Sequence, residues 1–276
     1  MPELPEVETV VRGLRNELLD FRFRDISVLH PRAIKNGSID PVALKGAKIE
    51  SVDRKGKFIW FGLNKDFAFI THLGMSGQYL FADSTADLPP YTRAFFTFSP
   101  KKILAFNDQR TFGWVGVDQV VKVNGFDTPA SFLKVAYDIF DLNFDKNLVV
   151  KKYLDSNAKI KHLLLDQGIM SGVGNIYADE ALWYARIHPD RRGVSLSKEE
   201  VNSLLRKVKF VLKRAVNLGG TSFDEQYVDT NGLAGSAIKH IKVYGREGKG
   251  CFRCSSFIIR IPFGVRYTRF CPGCQL

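Results

Sequence analysis

Met1-Pro2-Glu3-Leu4-Pro5-Glu6-Val7-Glu8 opens the chain and reads as the start of a helix. Pro5 suits the first turn, where a missing N–H costs nothing, and Glu6 and Glu8 favour the positive end of the helix dipole. Val7, Val10, Leu14 and Leu18 then fall on one face, so the helix can dock on a core and hold the terminus still. Removal of Met1, which the small second residue permits, leaves Pro2 as a free secondary amine with Glu3 and Glu6 close by in sequence. A terminal α-amine titrates near ~7.7–8.0, against about 10.4 for a lysine side chain, so part of it is neutral at physiological pH. A neutral amine attacks carbon. On the anomeric carbon of a deoxyribose, a secondary amine gives an iminium with no proton left to lose on nitrogen. That cation withdraws electrons and eases elimination of the neighbouring phosphate. For the Met-Pro dipeptide alone, a proline that merely follows methionine is the better reading.

The 276 residues allow two domains with a substantial core. Forty Lys and Arg against 29 Asp and Glu give a formal charge of +11, which suits a polyanion. Nucleic acid is the first candidate and an anionic membrane surface the second. No apolar run approaches the ~18 residues of a membrane span, and an acidic start is not a signal peptide, so a cytoplasmic protein is expected.

Residues 21–28, 47–52, 57–63, 67–71, 93–98 and 103–106 are rich in β-branched or aromatic residues and punctuated by Gly, Pro, Asn and Asp. They predict short strands in a β-sandwich. Lys57, in Arg54-Lys55-Gly56-Lys57, stands at the start of an apolar strand, where a solvated turn is the plain reading. His72-Leu-Gly74-Met75-Ser-Gly77 is a glycine-bracketed apolar tip, and on local sequence Met75 is as readily a core filler. Asp108-Gln-Arg110-Thr-Phe112-Gly113 is a second tip, joining a cation to an exposed aromatic.

From about residue 148 the pattern is helical. Ser171-Gly-Val-Gly174-Asn175 is a glycine-rich turn with Asn175 placed to cap the next helix. Backbone amides at such a start bind phosphate, although an ordinary interhelical turn explains the sequence as well. Residues 197–218 predict a helix with a Ser197/Glu200 capping box, a stripe of Val201, Leu204, Val208, Val211, Ala215 and Leu218, and a Gly219-Gly220 stop. Residues 219–242 are polar and without period, a loop long enough to be functional or disordered. Cys251-x-x-Cys254 and Cys271-x-x-Cys274, sixteen residues apart, have zinc-ligand spacing. Two disulfides are the alternative, disfavoured because nothing marks secretion. Four thiolates close a tetrahedral shell, so the zinc would be structural. Two strands between the pairs, residues 257–261 and 267–270, make a zinc-tied hairpin with Arg266 near its tip.

The opening octapeptide, the 159–180 segment and the cysteine pairs together resemble the bacterial formamidopyrimidine-DNA glycosylases, over nearly the whole chain. The resemblance implies an α+β multidomain fold. A β-sandwich with an N-terminal catalytic helix would span residues 1–130 and a linker 131–145. A helical helix-two-turn-helix domain with a lesion-covering loop would span 146–242, and a zinc finger 243–276. It implies Pro2 as nucleophile, Glu3 as general acid/base and Glu6 as an acid that holds the site. Lys57 and Arg266 would join them by gripping phosphates beside the reacting nucleotide. Met75, Arg110 and Phe112 would fill the void left by an extruded nucleotide, with Arg110 facing the orphaned cytosine. Arg93, Lys161, Asn175 and Tyr244 would contact the DNA backbone, and Thr221 and Ser222 would read the lesion. Three positions depart from the family pattern. Arg93 stands where the family often has histidine, Tyr267 where it has a small residue, and residues 127–145 lack the Gly-Pro-Glu-Pro type of linker.

The resulting expectation is a monomeric glycosylase and abasic-site lyase. It would act on double-stranded DNA carrying oxidised purines or abasic sites, with one structural zinc and no membrane partner. An endonuclease VIII-like enzyme for oxidised pyrimidines is the nearest alternative, although Leu4 stands where that branch usually has glycine. A non-catalytic zinc-finger DNA binder is the alternative from another class.

Overall fold

A computed structural model describes residues 2–35, 38, 40–221, 230 and 232–276. The chain divides into two compact units, Met1–Lys134 with Leu218–Ser236, and Val135–Asn217 with Ala237–Leu276.

In the first unit, α1 (Leu4–Leu18) buries Leu4, Val7, Val10, Val11, Leu14 and Leu18, the face set by the valine and leucine spacing. Full burial of each such side chain is worth about 1.5–3 kcal/mol. The strands are β1 (Asp25–Val28), β2 (Ile49–Lys55), β3 (Phe58–Leu63), β4 (Phe67–His72), β5 (Gly77–Ala82), β6 (Thr92–Ser99), β7 (Lys102–Asp108), β8 (Trp114–Val123) and β9 (Phe126–Pro129). They form two antiparallel sheets, ordered β1-β6-β7-β5 and β2-β3-β4-β8-β9. Alternate residues of β6 and β3 point inward, which is why these segments read as period-two strands. Phe23, Phe69 and Phe96 meet between the sheets, with Phe69 and Phe96 centroids 4.9 Å apart. The helix joins this core and is pinned to β2, where Arg15 bonds the Val52 carbonyl and Asp53, and Arg54 bonds Glu8 at 2.7 Å.

The sandwich matches expectation, with local differences. The strand expected over 21–28 shortens to β1, because Phe23 leaves the ladder to bond Ala47 and enter the core. Strands β5, β8 and β9 add to those expected; β5 begins at a loop glycine, and β8 is preceded by one, Gly113.

The second unit holds α2 (Lys146–Leu154), α3 (Ile160–Leu165), α4 (Asn175–Ala185) and α5 (Lys198–Asn217). Asp145 caps α2 by accepting from the Leu148 N–H. The Ser197/Glu200 capping box forms, with Ser197 N–H to Glu200 at 2.7 Å and Glu200 N–H to Ser197 at 3.2 Å. The predicted stripe of α5 is buried from Val201 to Ala215. A hairpin of β10 (Ile259–Phe263) and β11 (Arg266–Phe270) follows, turning at Gly264. Residues 218–236, read with the helical region in the sequence, group instead with the sandwich unit. Bonds from Thr221 to Glu6 explain the change. Among the described residues, no helix is long and apolar enough to cross a membrane.

Candidate active site and nucleic-acid contacts

Pro2 is buried and lines a small cavity with Glu6, Thr9, Leu73, Gln78 and Gly219. Glu3 is also buried, in extended backbone at the N-cap of α1, and its N–H donates to Glu6 Oε2 at 2.8 Å. The other oxygen of Glu6 accepts the Thr221 N–H at 2.7 Å and its hydroxyl at 2.9 Å. The Glu6 carboxylate therefore collects three donors and ties the helix start to a segment 215 residues away. Gly220, at φ +79, makes this approach in a backbone region that glycine enters without strain. Thr221 is a correction to the sequence reading. It is 2% exposed and both its donors face Glu6, so it braces the site rather than facing a base. Ser222 lies outside the described residues.

Lys57, between β2 and β3, is buried and not a solvated turn. Burial first, and the Lys57 charge second, push the His72 imidazole down to about 4 and keep it neutral. Its Nδ1 then accepts the Gly74 N–H at 3.0 Å. The ring stacks on Trp114, fixing the entry to the first apolar tip.

Met75 is half-buried in the β4–β5 loop, and Arg110 and Phe112 are exposed in the β7–β8 loop. The Arg110 guanidinium lies 5.3 Å from the Phe112 ring centre. Asp108, fully buried, staples the two loops. One oxygen accepts the Ser76 hydroxyl at 2.5 Å and the Arg110 N–H at 3.1 Å, and the other accepts the Gly113 N–H at 2.7 Å. Gly74, at φ +59, fits because a Cβ there would lie 2.3 Å from the Gly113 nitrogen. Arg93 turns its guanidinium to the carbonyls of Asp108 and Gln109.

In the second unit, Lys161 corrects the sequence reading. Its side chain is fully buried and paired with Asp179 at 2.6 Å, so it is no surface phosphate ligand. It also donates to the Tyr267 carbonyl at 3.3 Å. Asp179 accepts from the Thr268 hydroxyl and the Arg269 N–H, and burial raises its carboxyl while Lys161 and these bonds oppose the rise. Asn175 does not cap α4 with its side chain. Gly174 takes the cap position, Asn175 begins the helix, and its Nδ2 donates to Tyr267 O at 3.2 Å. Its buried Oδ1 has no donor among the described residues. Arg266 is exposed at the start of β11, and the exposed ring of Tyr267 lies under Arg260. Tyr244 lies under Arg269. Its N–H and those of Lys242 and Val243 converge on buried Glu180, which burial pushes up to about 7 against these three donors.

Cys251, Cys254, Cys271 and Cys274 are unpaired, with all four sulfurs within 4.8 Å of one another. Zn–S bonds of about 2.3 Å place tetrahedral sulfurs roughly 3.8 Å apart, close to the 3.9 Å between Cys251 and Cys274 and the 3.3 Å between Cys254 and Cys271. The Trp183 indole N–H and the Arg253 backbone N–H point at Cys251 Sγ, as donors to a thiolate would. The four cysteines can hold a metal ion.

A family model for the formamidopyrimidine-DNA glycosylase N-terminal domain matches residues 1–115, and one for the H2TH domain of the same glycosylases matches residues 135–226. The chain belongs to the formamidopyrimidine-DNA glycosylase family. The formamidopyrimidine-DNA glycosylase of Acidothermus cellulolyticus is 43% identical over the whole of this chain and 97% of its own length. That of Mycobacterium leprae is 40% identical, covering 100% and 98%. The Lactococcus lactis family member, crystallised with DNA containing an abasic site, superposes at a TM-score of 0.87 with 31% identity, over 99% of both chains. The Thermus thermophilus protein gives 0.86 at 35% identity, over 99% of this chain and 98% of its own. The chain is a DNA glycosylase.

As a glycosylase site, the first unit brings together Pro2, Glu3, Glu6 and Thr221, and separately Arg110 and Phe112 beside Met75's loop. The second unit joins Lys161 and Asn175 through one carbonyl, that of Tyr267. Sequence reasoning missed Asp108, Asp179 and Glu180. Each is a buried acid beside a motif already noticed, and an acid next to a glycine-rich turn is a signal for such a brace.

Proposed function

We propose that this glycosylase excises oxidised purines from double-stranded DNA and cleaves the resulting abasic strand through an imine on Pro2. The observation that carries the reading is Pro2 itself, buried beside Glu6 at the N-terminal end of α1 and lining a cavity. Once Met1 is removed, both burial and the positive helix end disfavour a protonated amine there. Three donors hold the Glu6 carboxylate in place beside it.

In the proposed reaction the Pro2 nitrogen forms a bond to C1′ as the glycosidic bond breaks, and the purine leaves with a proton delivered through Glu3. The Pro2 N–H proton then passes through Glu3 to O4′ as the ring C1′–O4′ bond opens, giving the iminium and a free 4′-hydroxyl. Loss of the C2′ proton sends its electron pair toward the iminium and expels the 3′ phosphate. A second elimination across C4′–C5′ expels the 5′ phosphate, and hydrolysis frees Pro2. Met75, Arg110 and Phe112 would occupy the vacated stack, and Lys57, Asn175, Tyr244 and Arg266 would grip flanking phosphates. Lys161 would act through the Tyr267 carbonyl. The thiol tetrad fits a structural zinc ion, which supplies folding energy to the hairpin and takes no part in the chemistry. Relatives of the same fold bound to abasic-site and Fapy-dG DNA support the substrate class.

Borohydride trapping on a duplex with 8-oxoguanine opposite cytosine, followed by peptide mapping, tests the reading. A cross-link on Pro2 is expected, and its loss in Pro2→Ala. Trapping on a lysine, or undiminished trapping by Pro2→Ala, overturns the imine assignment. Faster excision of thymine glycol than of 8-oxoguanine overturns the purine assignment.

A further inference from the structure

The exposed tip of the β7–β8 loop is held in an unfavourable conformation. Thr111, between Arg110 and Phe112, has φ +52, a region that β-branched residues rarely enter. Such a residue stays there only when its surroundings over-determine it. Asp108 supplies one side of that grip, accepting the N–H groups of Arg110 and Gly113 on either side of Thr111.

Arg93 supplies the other. The β6–β7 register slips between Thr92 and Ala94, leaving Arg93 as the unpaired residue of a bulge. Bulges re-aim side chains, and here the Arg93 guanidinium reaches the loop backbone. Nε donates to Asp108 O at 2.7 Å and Nη2 to Gln109 O at 3.2 Å. The bulged backbone is itself fixed, because the Arg93 carbonyl accepts the N–H groups of Leu29 and His30. One carboxylate thus holds the loop's donors and one guanidinium its acceptors. The planar fork of arginine holds its donors at a fixed spacing that matches two successive carbonyls, whereas a lysine ammonium is a compact charge on a flexible stem.

We propose that Arg93 is a positioning residue that holds the strained Thr111 turn, sets the orientation of Arg110 and Phe112, and so governs discrimination for the base opposite the lesion. This rests on the proposed oxidised-purine reading, in which Arg110 faces that base.

The test compares Arg93→Met and Arg93→Lys with the unaltered protein. Single-turnover excision of 8-oxoguanine is measured opposite cytosine and opposite adenine, at saturating enzyme. The readout is the ratio of the two rates, which loss of affinity or of folded protein leaves in place. Both variants should lose about tenfold of the cytosine preference, the scale of a lost hydrogen bond to a charged group. The lysine variant keeps its charge, so an equal fall there assigns the effect to the bracket. Adding Thr111→Gly to Arg93→Met should recover part of the preference, since glycine accepts positive φ without the bracket. A ratio within about twofold of the original in both single variants, against the tenfold expected from the lost bonds, overturns the proposal. If the unaltered protein excises from neither duplex, the oxidised-purine reading falls first and the proposal with it.

Discussion

Replacing Lys161 with methionine removes one half of an ion pair whose side chains are both 0% exposed. Breaking such a pair while leaving the other charge buried costs about 3–5 kcal/mol. Asp179 keeps two donors, the Thr268 hydroxyl and the Arg269 N–H, so the lower end, about 3 kcal/mol, is expected. Urea unfolding of Lys161→Met at neutral pH measures it. The pH dependence gives a second check. Burial raises the Asp179 carboxyl above its ordinary value, so the native state binds the proton more tightly than the unfolded chain. Stability from this group therefore falls as pH rises from the ordinary carboxylate range through the raised value. Lys161 opposes the rise, and removing it shifts the carboxyl further up, so the deficit should widen with pH and shrink in acid. Lys161→Met/Asp179→Asn should recover much of the loss. A deficit below about 1 kcal/mol, the range of an exposed pair, would refute the assignment of this contact as a buried strut.

Thr221→Val removes one of three bonds to Glu6 and should destabilise by about 1.5 kcal/mol while slowing excision, read by calorimetry and single-turnover rates. An unchanged excision rate would count against the brace. His72 is held neutral with its value near 4, so the unfolded chain takes up a proton that the folded one refuses. Its contribution is fully present above about 6.5 and lost as pH falls toward 4, and an NMR titration midpoint near 6.5 would contradict this. Cys254→Ser, or treatment with a strong chelator, should abolish binding of abasic-site DNA and release one zinc per chain. Retained binding with no zinc released would remove the structural-metal reading.

Legibility followed distance along the chain. The α5 capping box and the apolar stripe of α1 were readable because each is decided within a few turns. The cysteine tetrad was readable because a metal site leaves a spacing signature. Lys161 was misread because its neutralising partner stands eighteen residues on, in another helix. Thr221 was misread because its partner stands at the other end of the chain. Asn175 looked like a cap by residue type, but Gly174 already had the extended backbone that the position needs. The role of Arg93 depends on a one-residue slip between strands, which hydrophobic alternation does not record.

The Glu6–Thr221 tie also has a consequence for biosynthesis. A ribosome adding about 5–20 residues per second finishes residues 1–134 some 5–20 s before it reaches residue 236. Throughout that interval the nascent sandwich lacks its closing segment, and the Glu6 carboxylate lacks two of its three donors. The first part to emerge is therefore among the last to be completed. Slow codons or stalls between residues 135 and 217 would prolong the exposure of an unfinished active site to proteases.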